Sequence, residues 1–493
     1  MRLEKSIVIP LLLVIPSILS FIIGLYFEYR AFLMIGLMGI FFSSFQAVKK
    51  QSIFATAFLI NFFAFLCGRF FANWILEKDS LIDGAFVTDN PSDAILYPTI
   101  ILIVSSILIF TISVFICNKV RFNMCNLSAV YNTDHKENSS NVYINKAIFT
   151  LFYITGIFKL LVILEEVAYV QFIGSYAEFY TYFVGTMPGF VYKIAQFNDI
   201  SFYSVLALMA SRIKTMPVIS SYFILAMLTL LRGQRHLVMC AAVIIICYLL
   251  IRNHIAPEEK WITARMKRVF IFILPFVVIS LELMLNLRNG LNIDYNGFIG
   301  TILNFFSSQG TTSAVVYYSL IYEKMLPTDN FYTLAPIIEI LINNPISSFI
   351  FNPSHYNEQT AELAMYGNSF GSALLYIHQP YNYLAGLGFG TCYIAETFFE
   401  YGWLGLLLIN FIYAFVLLNL ENRLMNNIPT KWWIRTIEFI FINSILYSAR
   451  NRAFGFLADG INFTVLAYCI GVIILAKILK KYSSQSETGC KLR

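Results

Sequence analysis

The sequence contains few charged residues for its length. Asp, Glu, Lys and Arg make up 13% of its 493 residues, whereas a typical soluble domain contains about 25%. Hydrophobic residues reach 58%, and the mean hydropathy is +0.70. So few charges cannot cover a water-exposed surface of this size, and so apolar a chain does not remain disordered. The composition therefore excludes a soluble enzyme and a disordered chain, and it indicates a polytopic membrane protein.

Several features of soluble binding proteins are also missing. The net charge of +6 is small, so nucleic acid is not expected as a partner. The eight cysteines show no CxxC or other metal-ligand spacing, and they do not favour a disulfide framework. Glu77-Lys-Asp79 matches only a short E-x-D pattern, and Gly386–Gly390 lacks the strand–turn–helix context of a dinucleotide-binding loop. We therefore expect neither a metal site nor a cofactor.

Long apolar runs dominate the chain. A helix needs roughly 20 apolar residues to cross a bilayer core of about 30 Å. By that measure the sequence predicts an all-α polytopic integral membrane protein with about 12 transmembrane helices, within a range of roughly 11 to 14. The predicted spans are Ile7–Phe27, Ala31–Ala47, Ser52–Phe71, Ile95–Cys117, Ala147–Glu166, Phe190–Ser211, Met216–Leu231, Leu237–Ile251, Val269–Leu285, Gly402–Leu420, Trp433–Ser448 and Ile461–Leu479.

The basic residues predict the orientation of these spans. Short cytoplasmic loops retain Lys and Arg, and most of the 34 basic residues fall in alternate loops that share a side with the N-terminus. Both termini are then cytoplasmic, and the first run is an uncleaved span. The predicted organisation has N-terminal spans in residues 1–286, one large outer loop in residues 287–401, and C-terminal spans with a cytoplasmic tail in residues 402–493. Within the loop, Phe298–Ile321 and Phe331–Phe351 are candidate helices that lie in the membrane interface or dip into it.

A set of arginines at the outer ends of helices departs from this rule. The set comprises Arg232, Arg235, Arg288, Arg450 and Arg452, at positions where the positive-inside tendency disfavours basic residues. The first two lie between short spans, slightly below the membrane surface, where a guanidinium needs an anionic partner or a wet cavity. Because guanidinium binds phosphate oxygens bidentately, we predict that the set forms a pyrophosphate-binding pocket. The alternative is that these side chains reach lipid headgroups as anchors.

Polar residues of the large loop predict contacts with sugars. Gln309 lies in the polar run Ser307–Thr312, and Tyr356 lies in the run Asn352–Gln359. Amide, hydroxyl and aromatic side chains of this kind bind sugars, although an interfacial loop of any function contains them as well. His355 is the outer histidine best placed to act as a general base, since the unperturbed pKa of histidine, about 6.5, suits proton abstraction. The alternative for His355 is a structural role.

Two glutamates lie at the entry to the predicted span that begins at Gly402. The glycines of Gly386–Gly390 let the chain turn into a helix that carries Glu396 and Glu400 on one face, at i and i+4. These carboxylates could activate a hydroxyl group, pair with the arginines or face water. We take Glu396 as a candidate catalytic residue and favour a structural role for Glu400.

In layout and in these motifs the chain resembles the O-antigen polymerases of the Wzy type. The layout consists of about a dozen spans with one large outer loop in the C-terminal half. The local resemblance rests on Arg232-Gly-Gln-Arg235, Ser308-Gln-Gly310, Gly388-Phe-Gly390, Ala395-Glu396 and Tyr401-Gly402-x-x-Gly405.

This resemblance implies a fold related to the C-type membrane glycosyltransferases, in the bacterial inner membrane, with the large loop in the periplasm. One undecaprenyl-pyrophosphate-linked chain would be transferred to the hydroxyl group of another lipid-linked repeat unit, and undecaprenyl pyrophosphate would leave. The arginine set would bind the pyrophosphate, and Glu396 or His355 would accept the proton. The implied partners are the lipid-linked oligosaccharide and membrane lipid, with a chain-length regulator and a flippase as candidates. Neither a nucleotide sugar nor a metal is implied.

Other functions share part of this pattern. An O-antigen ligase has a similar layout, although the Arg232–Arg235 turn and the Glu396 segment favour a polymerase. A flippase or transporter of the same lipid-linked unit would show internal repeats and charges near mid-membrane. The sequence shows no repeat, and Lys159, Glu282 and Glu438 stand out as charges within predicted spans. A receptor or purely structural role is the remaining class.

Overall fold

The computed structural model describes residues 5–84, 86–87, 91–125, 139–173, 179, 183–288, 297–342, 356–426 and 428–490. Regular structure within these ranges is entirely helical. The helices are α1 (Lys5–Tyr26), α2 (Arg30–Lys49), α3 (Ile53–Phe62), α4 (Gly68–Ile75), α5 (Asp93–Cys125), α6 (Ser139–Ile173), α7 (Gly189–Ala207), α8 (Arg212–Leu228), α9 (His236–Ile255), α10 (Ala264–Arg288), α11 (Gly297–Gln309), α12 (Thr311–Ile321), α13 (Ala335–Ile342), α14 (Ala361–Tyr366), α15 (Phe370–His378), α16 (Pro380–Leu384), α17 (Tyr393–Met425), α18 (Trp432–Leu446), α19 (Gly455–Gly460) and α20 (Phe463–Cys490).

The apolar runs of the sequence become membrane-length helices. Over the described residues, eight helical segments are long and apolar enough to cross a membrane: Arg30–Lys49, Ile53–Ile75, Asp93–Lys119, Val142–Phe172, Arg212–Arg232, His236–Ile255, Tyr393–Met425 and Gly455–Ser483. Each overlaps one predicted span. The other four predicted spans are helical as well, in α1, α7, α10 and α18. The chain is therefore an all-helical, multi-pass membrane protein, and the count of about 12 spans stays a prediction.

Neighbouring helices pack in pairs, and α17 is the central helix in the sense that it contacts α3, α5, α9, α12 and α18. The pairs are α1 with α2, α6 with α7, and α5 with α17, while α18 packs against α7. The contact between α5 and α17 contains a buried polar cluster, in which Asn410 donates to the Ser106 hydroxyl at 3.0 Å and the hydroxyls of Ser106 and Tyr393 are 2.8 Å apart. In an apolar environment such interhelical hydrogen bonds hold helices in one register.

The central helix α17 is broken near its start and anchored near its end. Gly402 adopts φ 57° and ψ −144°, so a short helix up to Tyr401 meets a longer helix at a kink. This kink coincides with the predicted start of a span at Gly402. Near the far end, the Glu421 carboxylate accepts hydrogen bonds from the backbone N–H groups of Ile53 and Phe54, at 3.0 and 2.9 Å, and thereby caps α3.

Part of the large predicted loop is built into the bundle. The candidate helix Phe298–Ile321 is two helices, α11 and α12, which meet at Gly310. Every residue of α12 from Thr311 to Ser319 is buried, and α12 packs against α5 and α17. Of the second candidate helix, α13 is observed, and its residues beyond 342 lie outside the described part. The burial of α12 agrees with a loop helix that enters the bundle, and its depth in the membrane stays a prediction.

Candidate active site

The turn between α8 and α9 carries the first two predicted arginines. A 3-10 turn at Thr229–Arg232 extends α8, and α9 begins at His236. Arg232 is buried, and it donates to the carboxylate of Glu166 on α6 and to the side-chain oxygen of Gln234. Because the guanidinium is held by protein oxygens within the bundle, it does not extend to lipid headgroups as a surface anchor would.

The second arginine of the turn contacts the Ser308 motif. Arg235 lies 3.5 Å from the carboxylate of Glu282 on α10 and 3.4 Å from the Ser308 hydroxyl. Ser308 in turn donates to Glu282 at 2.9 Å. Two motifs that the sequence analysis singled out separately are therefore adjacent, joined by a buried glutamate.

A further arginine, Arg69 on α4, completes this part of the cluster. Its side chain is fully buried, and it donates to the backbone oxygen of Ser307 at 2.9 Å and to the Thr311 hydroxyl at 3.0 Å. Gly310 lies so close that a Cβ on it would come within 2.4 Å of the Arg69 Cβ and 2.8 Å of the Arg69 backbone nitrogen. Arg69 thus holds the junction between α11 and α12, and only glycine fits at position 310.

The turn after α18 brings Arg450 to the same cluster. A π-helical turn, Phe63–Cys67, connects α3 to α4 and places the buried Phe65 ring 6.0 Å from the Arg450 guanidinium. The charge of Arg450 acts on both Arg69 and His236, and His236 also experiences the charge of Arg232. The π-helical turn is a feature often found at functional sites. Here the turn carries the aromatic ring that faces the Arg450 guanidinium.

Glu396 supports the Arg450 turn from α17. Its side chain is 1% exposed, and its two carboxylate oxygens accept hydrogen bonds from the Thr391 hydroxyl at 2.6 Å and from the Ala453 backbone N–H at 2.8 Å. A Cβ on Gly390 would lie 3.9 Å from the Arg450 side chain. Glu396 therefore ties the glycine-rich segment that precedes α17 to the turn that carries Arg450.

The remaining predicted charges have structural partners. Arg452 pairs with Glu339 on α13 at 2.5 Å. Glu400 accepts hydrogen bonds from the backbone N–H groups of Tyr332 and Thr333, at 2.5 and 3.0 Å. The expectation that Glu400 is structural agrees with these contacts.

The predicted sugar-binding residues are placed only in part. Gln309 is buried at the end of α11, and its amide nitrogen has no hydrogen-bond partner among the described residues. Tyr356 is 38% exposed. His355 and the Arg288 side chain lie outside the described residues.

Charge pairing distinguishes the arginines of this cluster. Arg232, Arg235 and Arg452 each form a salt bridge with a glutamate, and Arg69 donates to neutral oxygens. Within the described part of the chain, Arg450 forms neither a salt bridge nor a hydrogen bond through its guanidinium, which is partly exposed. An anionic group could therefore bind Arg450 without displacing a carboxylate.

A cavity of about 520 Å³ opens beside this cluster, lined in part by Trp74, Glu77 and Lys78. Burial lowers the pKa of Lys78 below its usual value, and the charges of Asp83 and Glu282 oppose that shift. Glu77 and Asp79 form the E-x-D pattern of the sequence. In the ranges that the structure covers, no three His, Cys, Asp or Glu side chains come together as a set of metal ligands.

Sequence reasoning missed the partners of the predicted arginines. Arg69 lies inside the apolar run Ser52–Phe71, where an arginine is itself a signal of function. Glu166 also lies in a predicted span, and in the sequence Glu282 is only an isolated charge within a span. The sequence gives no sign that the His236 side chain lies near the arginines of other turns. Pairing between residues that are distant in sequence depends on which helices are neighbours, and one sequence does not show that.

Comparison with known proteins identifies the family of this chain. Neither the curated proteins nor the solved structures give a match to it. The family model for the O-antigen polysaccharide polymerase Wzy matches residues 6–483, which is nearly the whole chain. The match includes every described residue of the arginine cluster, so the chain belongs to the Wzy family of O-antigen polysaccharide polymerases.

Proposed function

We propose that this protein joins undecaprenyl-pyrophosphate-linked oligosaccharide repeat units into O-antigen polysaccharide. The reaction takes place at the periplasmic face of the bacterial inner membrane, with about 12 spans and both termini in the cytoplasm. The observation that carries the proposal is the Arg450 guanidinium near Arg69 and His236, which forms no salt bridge with any residue that the structure describes, in a chain of the Wzy family.

The arginine cluster suits a reaction in which pyrophosphate is the leaving group. The bond between the reducing-end sugar carbon and the pyrophosphate oxygen breaks, and a bond from that carbon to the acceptor oxygen forms. Negative charge then grows on the leaving pyrophosphate, and fixed cations stabilise it more strongly in a site that excludes water. Arg450 would bind first, and Arg232, Arg235 and Arg452 would add contacts by exchanging carboxylate partners for phosphate oxygens. Arg288 is proposed to add a further contact to the pyrophosphate.

The acceptor hydroxyl must lose its proton, and two residues are proposed for this step. His355 precedes Tyr356, which with Gln309 is proposed to contact the glycan. Glu396 could accept a proton only by giving up one of its two hydrogen bonds, from Thr391 or from Ala453. These contacts support Glu396 as the residue that positions the Arg450 turn, and Glu396 and His355 remain the two proposed bases.

Deletion of the gene and replacement by variants test the function. A lipopolysaccharide gel of the deletion strain should show core with a single repeat unit, whereas loss of a ligase or flippase would leave core alone. Arg450→Ala should remove the long-chain ladder, by a rate loss of about 10²–10³ as for other positioned donors at a developing anion. Arg450→Lys keeps the charge without the bidentate fork and should restore the ladder in part.

The matched control is Arg265→Ala. Arg265 is an exposed arginine at the start of α10. It precedes Glu282, the cluster residue of the same helix, by 17 residues, which corresponds to a rise of about 25 Å. This variant should keep the full ladder at the same amount of membrane-inserted protein. A full ladder from Arg450→Ala would remove Arg450 from the site, and core without any repeat unit in the deletion strain would refute the polymerase function.

A further inference from the structure

A second cavity, here called the kink cavity, lies beside the kink of α17, next to Phe399, Glu400 and Tyr401. Its volume is about 480 Å³, within the range of about 300–1,000 Å³ that small-ligand sites occupy. Its lining comprises three charged residues, two polar residues and three aromatic residues: Glu323, Lys324, Glu400, Thr328, Asn330, Phe331, Phe399 and Tyr401. None of the described residues that are assigned to the proposed reaction lines this cavity.

Aromatic rings form two walls of the kink cavity. Phe331 is 56% exposed and Tyr401 is 47% exposed. Behind them, the Phe399 ring packs against Tyr332 and Phe370, with ring centroids 5.9 and 5.7 Å apart. Exposed rings on a packed aromatic layer are flat apolar surfaces that a ligand can cover with little loss of side-chain freedom.

Polar groups with free hydrogen-bonding capacity form the rest of the lining. Glu323, Lys324 and Thr328 are exposed, and their side chains make no hydrogen bond or salt bridge with the described residues. Asn330 donates through its amide nitrogen to the backbone oxygens of Met365 and Gly367, at 3.2 and 3.1 Å. Its side-chain oxygen accepts no hydrogen bond from the residues that the structure covers, so donors and acceptors of both kinds remain for a ligand.

The floor of the kink cavity is fixed by backbone contacts. The two hydrogen bonds from Tyr332 and Thr333 to Glu400 hold the segment after Phe331 against α17. The Phe331 backbone N–H also donates to Asn368 at 3.0 Å. A site in which the lining is held before binding loses less entropy when the ligand arrives.

We propose that the kink cavity is a saccharide-binding subsite for the glycan part of the lipid-linked substrate. A sugar ring has an apolar face that covers an aromatic ring and an edge of hydroxyls that are both donors and acceptors. The lining offers both surfaces. The lining contains two acidic side chains, Glu323 and Glu400, and one basic side chain, Lys324. This excess of acidic groups does not favour a phosphate, and the free polar groups do not favour an acyl chain.

The location suits a glycan whose pyrophosphate end lies at the arginines. Tyr401 follows Glu396 by five residues along α17, which corresponds to a rise of about 7–8 Å. Glu396 contacts the turn of Arg450 through Ala453. This inference rests on the proposed function, because it is that reaction which brings a glycan to this end of the bundle.

The test measures binding of sugar without any polymerisation. The full-length protein, purified in nanodiscs, is titrated with O-chain fragments released by mild acid from the lipopolysaccharide of the same strain, and binding is followed by calorimetry. Tyr401→Ala and Phe331→Ala should each weaken fragment binding about tenfold, at the upper end of the contribution of about 0.5–1.5 kcal/mol for an aromatic contact. Tyr401→Phe keeps the ring and should bind within about twofold of the unmodified protein.

The matched control is Tyr381→Ala, which removes a tyrosine that is 89% exposed and lies outside the kink cavity. Its affinity should be unchanged. Equal affinity of the Tyr401→Ala, Phe331→Ala and Tyr381→Ala proteins would overturn the proposal and would leave these rings as anchors at the membrane interface. Absence of fragment binding at millimolar concentration would also overturn it.

These outcomes are separate from those that test the function. A failed deletion test refutes polymerisation whatever the fragments do. Unchanged fragment binding by the Tyr401→Ala and Phe331→Ala proteins refutes the subsite, even if the deletion strain retains only single repeat units.

Discussion

Replacement of Glu396 separates a positioning role from a catalytic one. Glu396→Ala leaves the Ala453 N–H and the Thr391 hydroxyl without their acceptor in a site that is 1% exposed. A buried donor that is left without its acceptor costs about 1–3 kcal/mol. Even if the two bonds are far from additive, the loss of about 2–4 kcal/mol should release the turn that carries Arg450.

Glu396→Gln provides the decisive comparison. The glutamine oxygen can accept from Ala453, and its amide nitrogen can donate to the Thr391 hydroxyl, which changes from donor to acceptor. Both hydrogen bonds then persist, but the group can no longer accept a proton. If Glu396 is a positioning residue, Glu396→Gln should retain the long-chain ladder and Glu396→Ala should lose it. If Glu396 is the general base, both variants should lose a factor of about 10²–10⁴ in rate.

The assay is the lipopolysaccharide ladder in the deletion strain, normalised to the amount of protein in the membrane. Thermal unfolding of the purified proteins shows whether Glu396→Ala acts on the local turn or on the whole fold. Thr391→Val removes one of the two bonds and should give an intermediate ladder. If Glu396→Gln abolishes the ladder while its unfolding temperature stays unchanged, the positioning argument is refuted and the carboxylate takes part in proton transfer.

Two further predictions concern the framework of the site. Gly310→Ala places a Cβ within 2.4 Å of the Arg69 Cβ, which should lower the free energy of unfolding by about 1–3 kcal/mol and shorten the ladder. Gly471→Ala, where a Cβ meets nothing within 4 Å, is the control, and equal thermal stability of the two variants would contradict the close contact. Glu421→Ala should lower the unfolding temperature in detergent, because the buried Ser52 hydroxyl and two backbone N–H groups of α3 lose their acceptor. Glu421→Gln retains an acceptor, so equal losses in both Glu421 variants would show that these hydrogen bonds do not stabilise α3.

The sequence predicts helices more completely than it predicts contacts. All of the predicted apolar runs form helices, because segments of this length satisfy their backbone hydrogen bonds internally whatever their neighbours are. The sequence predicts a span that begins at Gly402, whereas in the structure the helix begins at Tyr393 and is kinked at Gly402. By contrast, the burial of α12 was left open, since the run Phe298–Ile321 has the same composition whether it lies in the interface or inside the bundle.

In the arginine cluster, too, the sequence predicts where residues lie along the chain but not which residues they contact. The positions of Arg232, Arg235 and Arg450 at helix ends could be predicted from where the apolar runs end. The carboxylate partner of each arginine could not be predicted. Glu166, for example, reaches Arg232 only because α6 packs beside the turn after α8. Arg69 escaped notice for a related reason, since it lies within an apolar run and its partners belong to the junction of α11 and α12.

Charge pairing therefore ranks the arginines in a way that position does not. A guanidinium that already binds a carboxylate contributes to pyrophosphate binding only the difference between the two partners, because the carboxylate must be released and hydrated or find another donor. Arg450 has no such opposing partner among the described residues, and it rests on the Phe65 ring. If the pyrophosphate binds here, the variant of Arg450 must lose more activity than the variant of any arginine paired with a glutamate.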